Sequence, residues 1–293
     1  MLSVLLPISD PALEALAKAS VESSMAVVSP SGKTEDIGVS VGVVDRVART
    51  VRWGAYNGER TFYPASTVKL FWLAYAEKRI EDGKLKTSPE LERGLHDMIV
   101  DSTNDATALI VDAATETTGG PELSPRALRA WMDKRQAANR WFADLGYTGI
   151  NACQKTWNEG PYGREKQGYG PNLKFRNAMA PMAGMRLLAE IMLDRIVNPN
   201  ACGRMRELLH RTKADDEQVK GFSGSQMGQG CEIWSKAGWT SEVKCDLAWI
   251  KAPDGREVVL SIFTSKSARE EGLLPRIARE LLVGLKMPVK EAS

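Results

Sequence analysis

A serine and a lysine three positions apart, Ser66 and Lys69, have the residue types and the spacing best suited to covalent chemistry. Residues three apart share one face of a helix, so their side chains approach each other. A serine hydroxyl becomes a good nucleophile when a base takes its proton. Burial disfavours the charged form of lysine, and Lys69 is followed by the apolar run LFWLAYA. The pattern therefore favours Lys69 as a base, or as part of a proton relay, for Ser66.

Two further motifs follow S-x-x-K along the chain. They are S-x-N at Ser102–Asn104, in DSTNDAT, and K-x-G at Lys236–Gly238, in WSKAGWT. S-x-x-K alone occurs by chance in many proteins, whereas the three motifs in this order are a signature of penicillin-recognising serine hydrolases. TETTGGPELSPRALRAW and RNAMAPMAGMRLLAEIM also resemble the T-x-G-G-P-x-x-L and R-x-x-x-x-P segments of class A β-lactamases. The resemblance to this superfamily covers about residues 36 to 286.

The resemblance implies a role for each motif residue. Ser66 is the nucleophile that becomes acylated, and Lys69 is its proton partner. Ser102 passes a proton to the leaving nitrogen, Asn104 holds a substrate amide, and Lys236 binds the substrate carboxylate. The alternative for Asn104 is a helix cap, and the alternative for Lys236 is a solvated strand residue.

The strand that carries K-x-G is expected to supply further substrate contacts. The backbone N–H groups of Ser66 and Trp239 should form an oxyanion hole. Gly238 and Thr240, on either side of Trp239, are also predicted to bind the substrate.

Several positions depart from the class A pattern. Thr103 stands in the middle of S-x-N, and Ala237 replaces a hydroxyl residue that usually helps to grip the carboxylate. The segment between Ser66 and Ser102 is shorter than in familiar class A enzymes. The loop of residues 145–175 also lacks a clean E-x-x-x-N, the motif whose glutamate activates the deacylating water in class A enzymes.

Two glutamates in this long loop are candidates for the deacylation base. Glu159, in KTWNEGPYG, is favoured because a tryptophan and a Gly-Pro turn flank it. Glu165 is the second candidate. The alternative for both is a solvated loop carboxylate that activates no water.

The function expected from these residues is that of a serine β-lactamase working through an acyl-enzyme. The runner-up is a D-alanyl-D-alanine peptidase, or an amide or ester hydrolase of the same fold. The third is a module that β-lactams acylate and that never turns over. The partner is accordingly a small molecule, either a β-lactam or a peptidoglycan-like amide or ester, and the protein is expected to be a monomer.

Other function classes are disfavoured by composition. Net charge is +2 and no basic block occurs, which argues against nucleic acid as a partner. No apolar run approaches a membrane span. Neither of the two histidines has an obvious serine and acid context, which makes a Ser-His-Asp triad improbable. The cysteines show no C-x-x-C spacing and have no nearby histidine partner, which makes a zinc site improbable too. No cofactor or metal is expected. A cytoplasmic location and a removed leader, with a periplasmic or secreted product, both stay open.

The four cysteines, Cys153, Cys202, Cys231 and Cys245, are expected to be buried thiols, with a Cys231–Cys245 disulfide as the alternative.

The expected fold is the α/β β-lactamase/transpeptidase-like fold, an antiparallel sheet flanked by helices plus a helical lobe. Residues 1–293 form one catalytic domain, with an α/β lobe from about 1–60 and 215–293 and a helical lobe from about 61–214. Val-rich IGVSVGVVD and TVRWGAYNG predict a hairpin. Three strands follow near the C-terminus, and LLPRIARELLVGLK predicts a closing helix. Helices are also expected at Asp10-Pro11, Pro89, Ser124-Pro125 and Pro181, where capping residues or prolines stand.

Overall fold

The structure is a computed structural model, and it describes residue 5 and residues 8–213, 216–267 and 269–291. The chain divides into two compact units. The first comprises Met1–Thr67 together with Met179–Ser293, and the second is Val68–Ala178. Among the described residues, no helix has both the length and the apolar character needed to cross a membrane.

The strands and helices follow one another in a mixed order. The strands are β1 (Ile8–Ser9), β2 (Ile37–Asp45), β3 (Thr50–Tyr56), β4 (Ile150–Asn151), β5 (Ala178–Met179), β6 (His210–Arg211), β7 (Glu232–Trp239), β8 (Val243–Lys251) and β9 (Glu257–Ser265). The helices are α1 (Pro11–Val28), α2 (Lys69–Glu81), α3 (Pro89–Ile99), α4 (Asn104–Thr115), α5 (Pro125–Arg135), α6 (Ala137–Asp144), α7 (Gly163–Gly168), α8 (Pro181–Met192), α9 (Pro199–Leu209) and α10 (Leu273–Gly284).

The first unit is built on a seven-stranded sheet in the order β1-β3-β2-β9-β8-β7-β6. The β1–β3 pair is parallel, and the other pairs are antiparallel. The five long strands confirm the predicted hairpin and C-terminal meander. The two-residue strands at the edges, β1 and β6, were not predicted, because two residues are too few for an alternating pattern.

Helices pack on both faces of this sheet. Successive side chains of a strand point to opposite faces, so one face of the central strands packs with α1 and α10 in a single apolar core. That core includes Val39, Val41, Leu260, Ile262, Ile277 and Leu281. Helix α8 lies on the opposite face, where a Cβ added at Gly184 would stand 2.6 Å from the Leu247 side chain. The sandwich of helices and sheet confirms the predicted fold class.

Helix starts follow the capping signals in the sequence. Asp10 caps α1 by accepting a hydrogen bond from the Ala12 N–H at 2.9 Å, and Pro11 occupies the first turn. Ser88 and Ser124 cap α3 and α5 in the same manner, each before a proline. Such caps satisfy backbone donors that a helix leaves unpaired. The predicted starts of these helices are confirmed.

The boundary between the units differs from the predicted one near residue 214. The sheet unit resumes at Met179, because α8 packs against β2, β8 and β9. Nearly every residue of α8 is buried, so its composition alone does not reveal which unit it joins.

The second unit is held together by the apolar helix α2. Phe71 of α2 packs edge-on against Phe142 and Tyr147, with ring centroids 4.7 and 6.0 Å away. Residues Leu70–Ala74 of α2 are all 0% exposed. This packing fixes the start of α2, where Lys69 lies. The predicted irregular loop of residues 145–175 contains β4, α7 and a 3-10 turn at Pro171–Leu173 and is otherwise irregular.

All four cysteines are free thiols, so the alternative of a Cys231–Cys245 disulfide is wrong for this structure. Cys153, Cys202 and Cys245 are buried, as expected, whereas Cys231 is only partly buried. Burial raises the pKa of Cys153 to about 12 and that of Cys202 to about 11, which keeps both thiols protonated and unreactive.

Candidate functional site

Ser66 stands in a tight turn of the first unit. It belongs to the 3-10 helix Ala65–Val68. The preceding residue, Ala65, has a φ of 45°, in the left-handed region that costs energy for a residue with a Cβ. The turn is held by hydrogen bonds from the Thr67 N–H and hydroxyl to the Pro64 carbonyl, at 3.1 and 2.6 Å. Ser66 itself is half-buried between buried neighbours, so its side chain is partly accessible from solvent.

Gly238 lies directly against this turn. A Cβ built at Gly238 would stand 2.6 Å from the Ser66 backbone nitrogen and 2.7 Å from that of Thr67. No side chain fits at such distances, so glycine is required for β7 to approach the turn. This is the physical reason for a glycine in the K-x-G motif.

The backbone at the end of β7 directs one N–H away from the sheet. The Thr240 N–H donates to the Val243 carbonyl at 2.9 Å, so the strand directs this N–H toward β8. Peptide groups alternate in direction along a strand, and the N–H of Trp239, paired with Lys244, therefore points away from β8. The Trp239 N–H is thus available to a ligand, as an oxyanion-hole donor must be.

In the second unit, Lys69 is fully buried at the first position of α2. Its Nζ donates to the Ser102 carbonyl at 2.5 Å, to Oδ1 of Asn104 at 3.0 Å and to Oγ of Ser102 at 3.3 Å. Burial lowers the pKa of Lys69 from 10.5 to about 7. The structure thereby brings the predicted residues Ser102 and Asn104 into contact with Lys69 Nζ. With this pKa, a substantial fraction of the Lys69 amine is neutral at physiological pH.

The S-x-N motif forms the connection from α3 to α4. Ser102 has a φ of 57°, again in the left-handed region, and the Thr103 N–H donates to the Asp97 carbonyl at 3.0 Å. Asn104 then opens α4. In this conformation both the carbonyl and the hydroxyl of Ser102 accept hydrogen bonds from Lys69. Strained conformations of this kind cluster at functional sites.

Asn158 is a member of this cluster that the sequence did not predict. Its Oδ1 accepts a hydrogen bond of 2.8 Å from Nδ2 of Asn104. The amide of Asn104 thus donates to Asn158 and accepts from Lys69. The one available signal was its place in the sequence directly before Glu159, in the loop that carries the deacylating glutamate in class A enzymes.

The two candidate deacylation bases have different surroundings. Glu159 is exposed, in an irregular part of the loop. Glu165 is buried and ion-paired to Arg135 at 2.6 Å and to Lys155 at 3.0 Å. Among the described residues, no carboxylate lies within ion-pair distance of Lys69 Nζ. The pairs at Glu165 favour a role in fixing the loop over a role in activating water.

Lys236 is fully buried on β7 of the first unit. Its Nζ donates to Oε1 of Gln218 and, at 2.8 Å, to the Ala237 carbonyl. Asp246 on β8 is fully buried. Burial raises the pKa of its carboxyl to about 6, although a hydrogen bond of 2.9 Å from the Ser223 N–H and the charges of Lys236 and Arg211 act in the opposite direction. Gln218 could not be found from the sequence, because it lies outside every motif. A buried, hydrogen-bonded lysine is inconsistent with the alternative of a solvated strand residue.

Trp239 and Thr240 are both exposed at the end of β7. Oγ1 of Thr240 accepts hydrogen bonds from the Glu242 and Val243 N–H groups at 3.1 and 3.2 Å. Its hydroxyl therefore already serves the β7–β8 turn.

One surface group has potential metal ligands. The side chains of His96, Asp97 and Asp101 offer ligand atoms within 4.8 Å of one another. They are exposed or half-exposed, and acidic groups on a surface often cluster without an ion.

Comparison with known proteins places this arrangement in a family. The chain matches the model of the beta-lactamase enzyme family over residues 26–283. No curated protein sequence matches it significantly.

Solved structures of the same fold are abundant. A beta-lactamase from Sphaerobacter thermophilus DSM 20745 is similar, with 20% identity and a TM-score of 0.64 over 92% of this chain and 98% of that one. The TLA-1 extended spectrum beta-lactamase is similar at 14% identity, with a TM-score of 0.68 over 93% and 99% of the two chains. A mutant of PBP-A, in an acyl-enzyme complex with penicillin-G, is similar at 17% identity, with a TM-score of 0.63 over 92% and 97%.

These identities are low, so the structural matches establish the fold alone. The family match spans most of the sequence and includes S-x-x-K, S-x-N and K-x-G in order. The chain belongs to the beta-lactamase enzyme family.

Proposed function

We propose that the protein is a serine hydrolase that opens the β-lactam ring through an acyl-enzyme on Ser66. The observation that carries this proposal is the environment of Lys69. A buried lysine with a pKa near 7, in contact with Ser102 and Asn104, is suited to accept and return a proton. Burying a cation costs free energy unless good partners compensate for the lost hydration, and perturbed pKa values are typical of functional sites.

Acylation would proceed with Lys69 as the base. Its neutral amine takes the hydroxyl proton of Ser66, three residues earlier in the chain. The serine Oγ bonds to the lactam carbonyl carbon, and the ring C–N bond then breaks. Ser102 gives its hydroxyl proton to the leaving nitrogen and takes the proton held by Lys69 across the 3.3 Å contact. The amine is neutral again when the acyl-enzyme has formed.

Backbone and strand groups would stabilise this step. The N–H groups of Ser66 and Trp239 are proposed to bind the oxyanion, and removal of one such donor typically costs about 10²–10³ in rate. Asn104 is proposed to hold the substrate amide, and Lys236 to attract the substrate carboxylate. Gly238 supports the arrangement because it permits the close approach of β7 to Ser66.

Hydrolysis of the acyl-enzyme needs a base for the attacking water. Glu159 is the proposed base, since it follows the residue that hydrogen-bonds to Asn104 and its carboxylate is exposed. Glu165 is the weaker candidate, because Arg135 and Lys155 already pair with it.

A second candidate function is a β-lactam-binding protein whose acyl-enzyme persists. The observation in its favour is Asn158, a neutral amide in contact with Asn104. An amide accepts no proton from water at neutral pH. The acyl-enzyme complex of the PBP-A mutant with penicillin-G supports covalent binding of β-lactams by this fold. A D-alanyl-D-alanine peptidase or an amide or ester hydrolase would use the same acylation step. Ala237 is compatible with such a substrate because it lacks the hydroxyl that usually helps to grip the β-lactam carboxylate.

One experiment separates these functions. The protein is mixed with a chromogenic cephalosporin, while absorbance follows ring opening and intact-mass spectrometry follows the adduct. Steady colour development far beyond one equivalent supports the hydrolase. A stoichiometric burst with a stable adduct supports the binding protein. Release of D-alanine from a D-alanyl-D-alanine peptide, without steady colour development, supports the peptidase whether or not an adduct forms.

A further inference from the structure

A pocket of about 320 Å³ opens at the end of β7 in the first unit, beside Trp239 and Thr240. Its volume lies at the lower end of the range for small-molecule sites. The other residues that line it are Glu217, Lys220, Phe222, Lys244 and Glu271. None of these five belongs to a family motif in the sequence, and the function proposed above gives them no role.

Two aromatic rings form one wall of this pocket. Trp239 is 45% exposed, an unusual state for so large an apolar side chain. Its ring lies 5.6 Å from the buried ring of Phe222, at an interplanar angle of 47°. Phe222 thus holds Trp239 in place with one side facing solvent. A supported, exposed aromatic surface of this kind binds flat apolar groups.

A lysine completes the pocket. Lys244 pairs with Trp239 across β7 and β8, so both side chains lie on the same face of the sheet. Its Nζ stands 4.8 Å from the centre of the Phe222 ring and, in the described part of the chain, makes no hydrogen bond or ion pair. Burial lowers its pKa, while the charges of Glu271 and Asp246 act in the opposite direction. A half-buried ammonium without a direct partner is suited to meet an anion from outside.

We propose that this pocket is a subsite for a substrate substituent that combines an aromatic ring with a carboxylate. The ring would lie on the exposed side of Trp239, which Phe222 supports, and the carboxylate would face Lys244. The assignment of the ligand as part of a substrate rests on the function proposed above, because Trp239 follows the K-x-G motif and its N–H is the proposed oxyanion donor.

The other charged residues of the pocket determine whether it prefers anionic or neutral ligands. Glu217, Glu271 and Lys220 are exposed, so water and salt weaken their fields. Lys244 is the half-buried charge, and its field is screened less. The pocket should therefore prefer anionic rings to neutral ones of the same shape.

Binding can be measured apart from catalysis. Isophthalate and the neutral isophthalamide are titrated into the full-length Ser66→Ala variant, which cannot be acylated at that residue, and ligand-observed NMR gives the two Kd values. Isophthalate should bind roughly tenfold more tightly, the equivalent of one charge-assisted hydrogen bond. Lys244→Met should remove this preference, Lys244→Arg should retain it, and Trp239→Ala should weaken both ligands. Lys220→Met is the control for an exposed lysine of the same pocket and should change the preference little.

Equal affinities for the two probes, or a preference that survives Lys244→Met in a correctly folded variant, would overturn the subsite. Circular dichroism establishes the fold of each variant. The relevance to substrates is tested with carbenicillin and benzylpenicillin, which differ by one carboxylate beside the phenyl ring. Lys244→Met should lower the acylation rate constant of carbenicillin relative to that of benzylpenicillin, and an unchanged ratio counts against the subsite as a substrate site. If no β-lactam acylates the parent protein, the proposed function fails while the NMR result still decides the subsite.

Discussion

The side-chain nitrogen of Lys69 lies 3.0 Å from the amide oxygen of Asn104, and this contact fixes the orientation of the asparagine. Because Oδ1 accepts from Lys69, Nδ2 is directed the other way, where it donates to Asn158. One amide thus links the proposed base to the loop that carries Glu159.

The pH dependence of acylation should follow Lys69. Burial lowers its pKa to about 7, and only the neutral amine acts as a base, so the acylation rate constant should rise as pH increases through about 7 and then level off. Lys69→Ala should lower that constant by about 10²–10⁴-fold, the usual contribution of a general base, and should abolish the inflection. Stopped-flow rates from pH 5 to 9, roughly the range that spans this pKa, give both results. Lys78→Ala, on the same helix but paired to Asp82 at the surface, is the control and should retain the parent profile.

The burial of Lys69 also predicts how the stability of the protein depends on pH. The folded state releases the Lys69 proton near pH 7, whereas the unfolded state holds it up to the ordinary pKa of 10.5. The unfolded state therefore binds more protons between these values, and the contribution of Lys69 to the free energy of unfolding rises with pH across that window. Denaturant unfolding of the parent and of Lys69→Met should show a difference in stability that shrinks as pH rises. A difference independent of pH would mean that Lys69 is charged in the folded protein.

Gly238→Ala should disturb the turn at Ser66. The new methyl group would stand 2.6 Å from the Ser66 nitrogen, and overpacking of this kind typically costs about 1–3 kcal/mol. We expect a lower Tm together with a loss of acylation larger than the loss of stability explains, because the proposed oxyanion donor moves. Gly203→Ala is the matched control: the nearest atom to its Cβ is 4.0 Å away, and it lies in a helix. Parent-like acylation by Gly238→Ala would show that the close approach has no catalytic role.

Glu159→Gln should separate the two chemical steps. If Glu159 activates the deacylating water, acylation stays close to the parent rate while the adduct accumulates, and a burst precedes slow turnover. Rapid quench with intact-mass detection measures both rates. Glu122→Gln removes an exposed loop carboxylate of the same unit and should change neither. Unchanged deacylation in Glu159→Gln would favour a mechanism without this glutamate.

Glu165→Gln should act on stability. The carboxylate of Glu165 is buried against Arg135 and Lys155, and removing one partner of a buried ion pair typically costs about 3–5 kcal/mol. Thermal unfolding should show a marked fall in Tm, compared with a small change for Glu92→Gln at the exposed surface of α3. Parent stability combined with lost deacylation would instead identify Glu165 as the water-activating base.

The sequence predicted those features that depend on local pattern. Capping residues located the starts of α1, α3 and α5. The apolar run after Lys69 predicted its burial, because a helix whose first residues are all apolar has no solvated face to offer it. The order of the three motifs placed Lys69, Ser102 and Asn104 in one predicted site through family resemblance, whereas their direct contacts are seen only in the structure.

Local patterns could not predict features that depend on contacts between residues far apart in the sequence. Asn158 meets Asn104 across 54 positions, and the Arg135–Glu165 pair spans 30. Neither has a local signal, since an asparagine or glutamate in a loop is usually solvated. The sequence prediction placed α8 in the helical lobe, whereas it belongs to the sheet unit. A helix that is buried on nearly all sides has no polar face from which its packing partner could be predicted.

The most direct test of the account is the location of the covalent adduct. The parent protein and Ser66→Ala are incubated with benzylpenicillin, quenched in acid at short times and digested, and the peptides are sequenced by tandem mass spectrometry. We expect one benzylpenicilloyl group on Ser66 of the parent and none on the variant, with both proteins equally folded by circular dichroism. An adduct on another residue, or an equal adduct in Ser66→Ala, would contradict it.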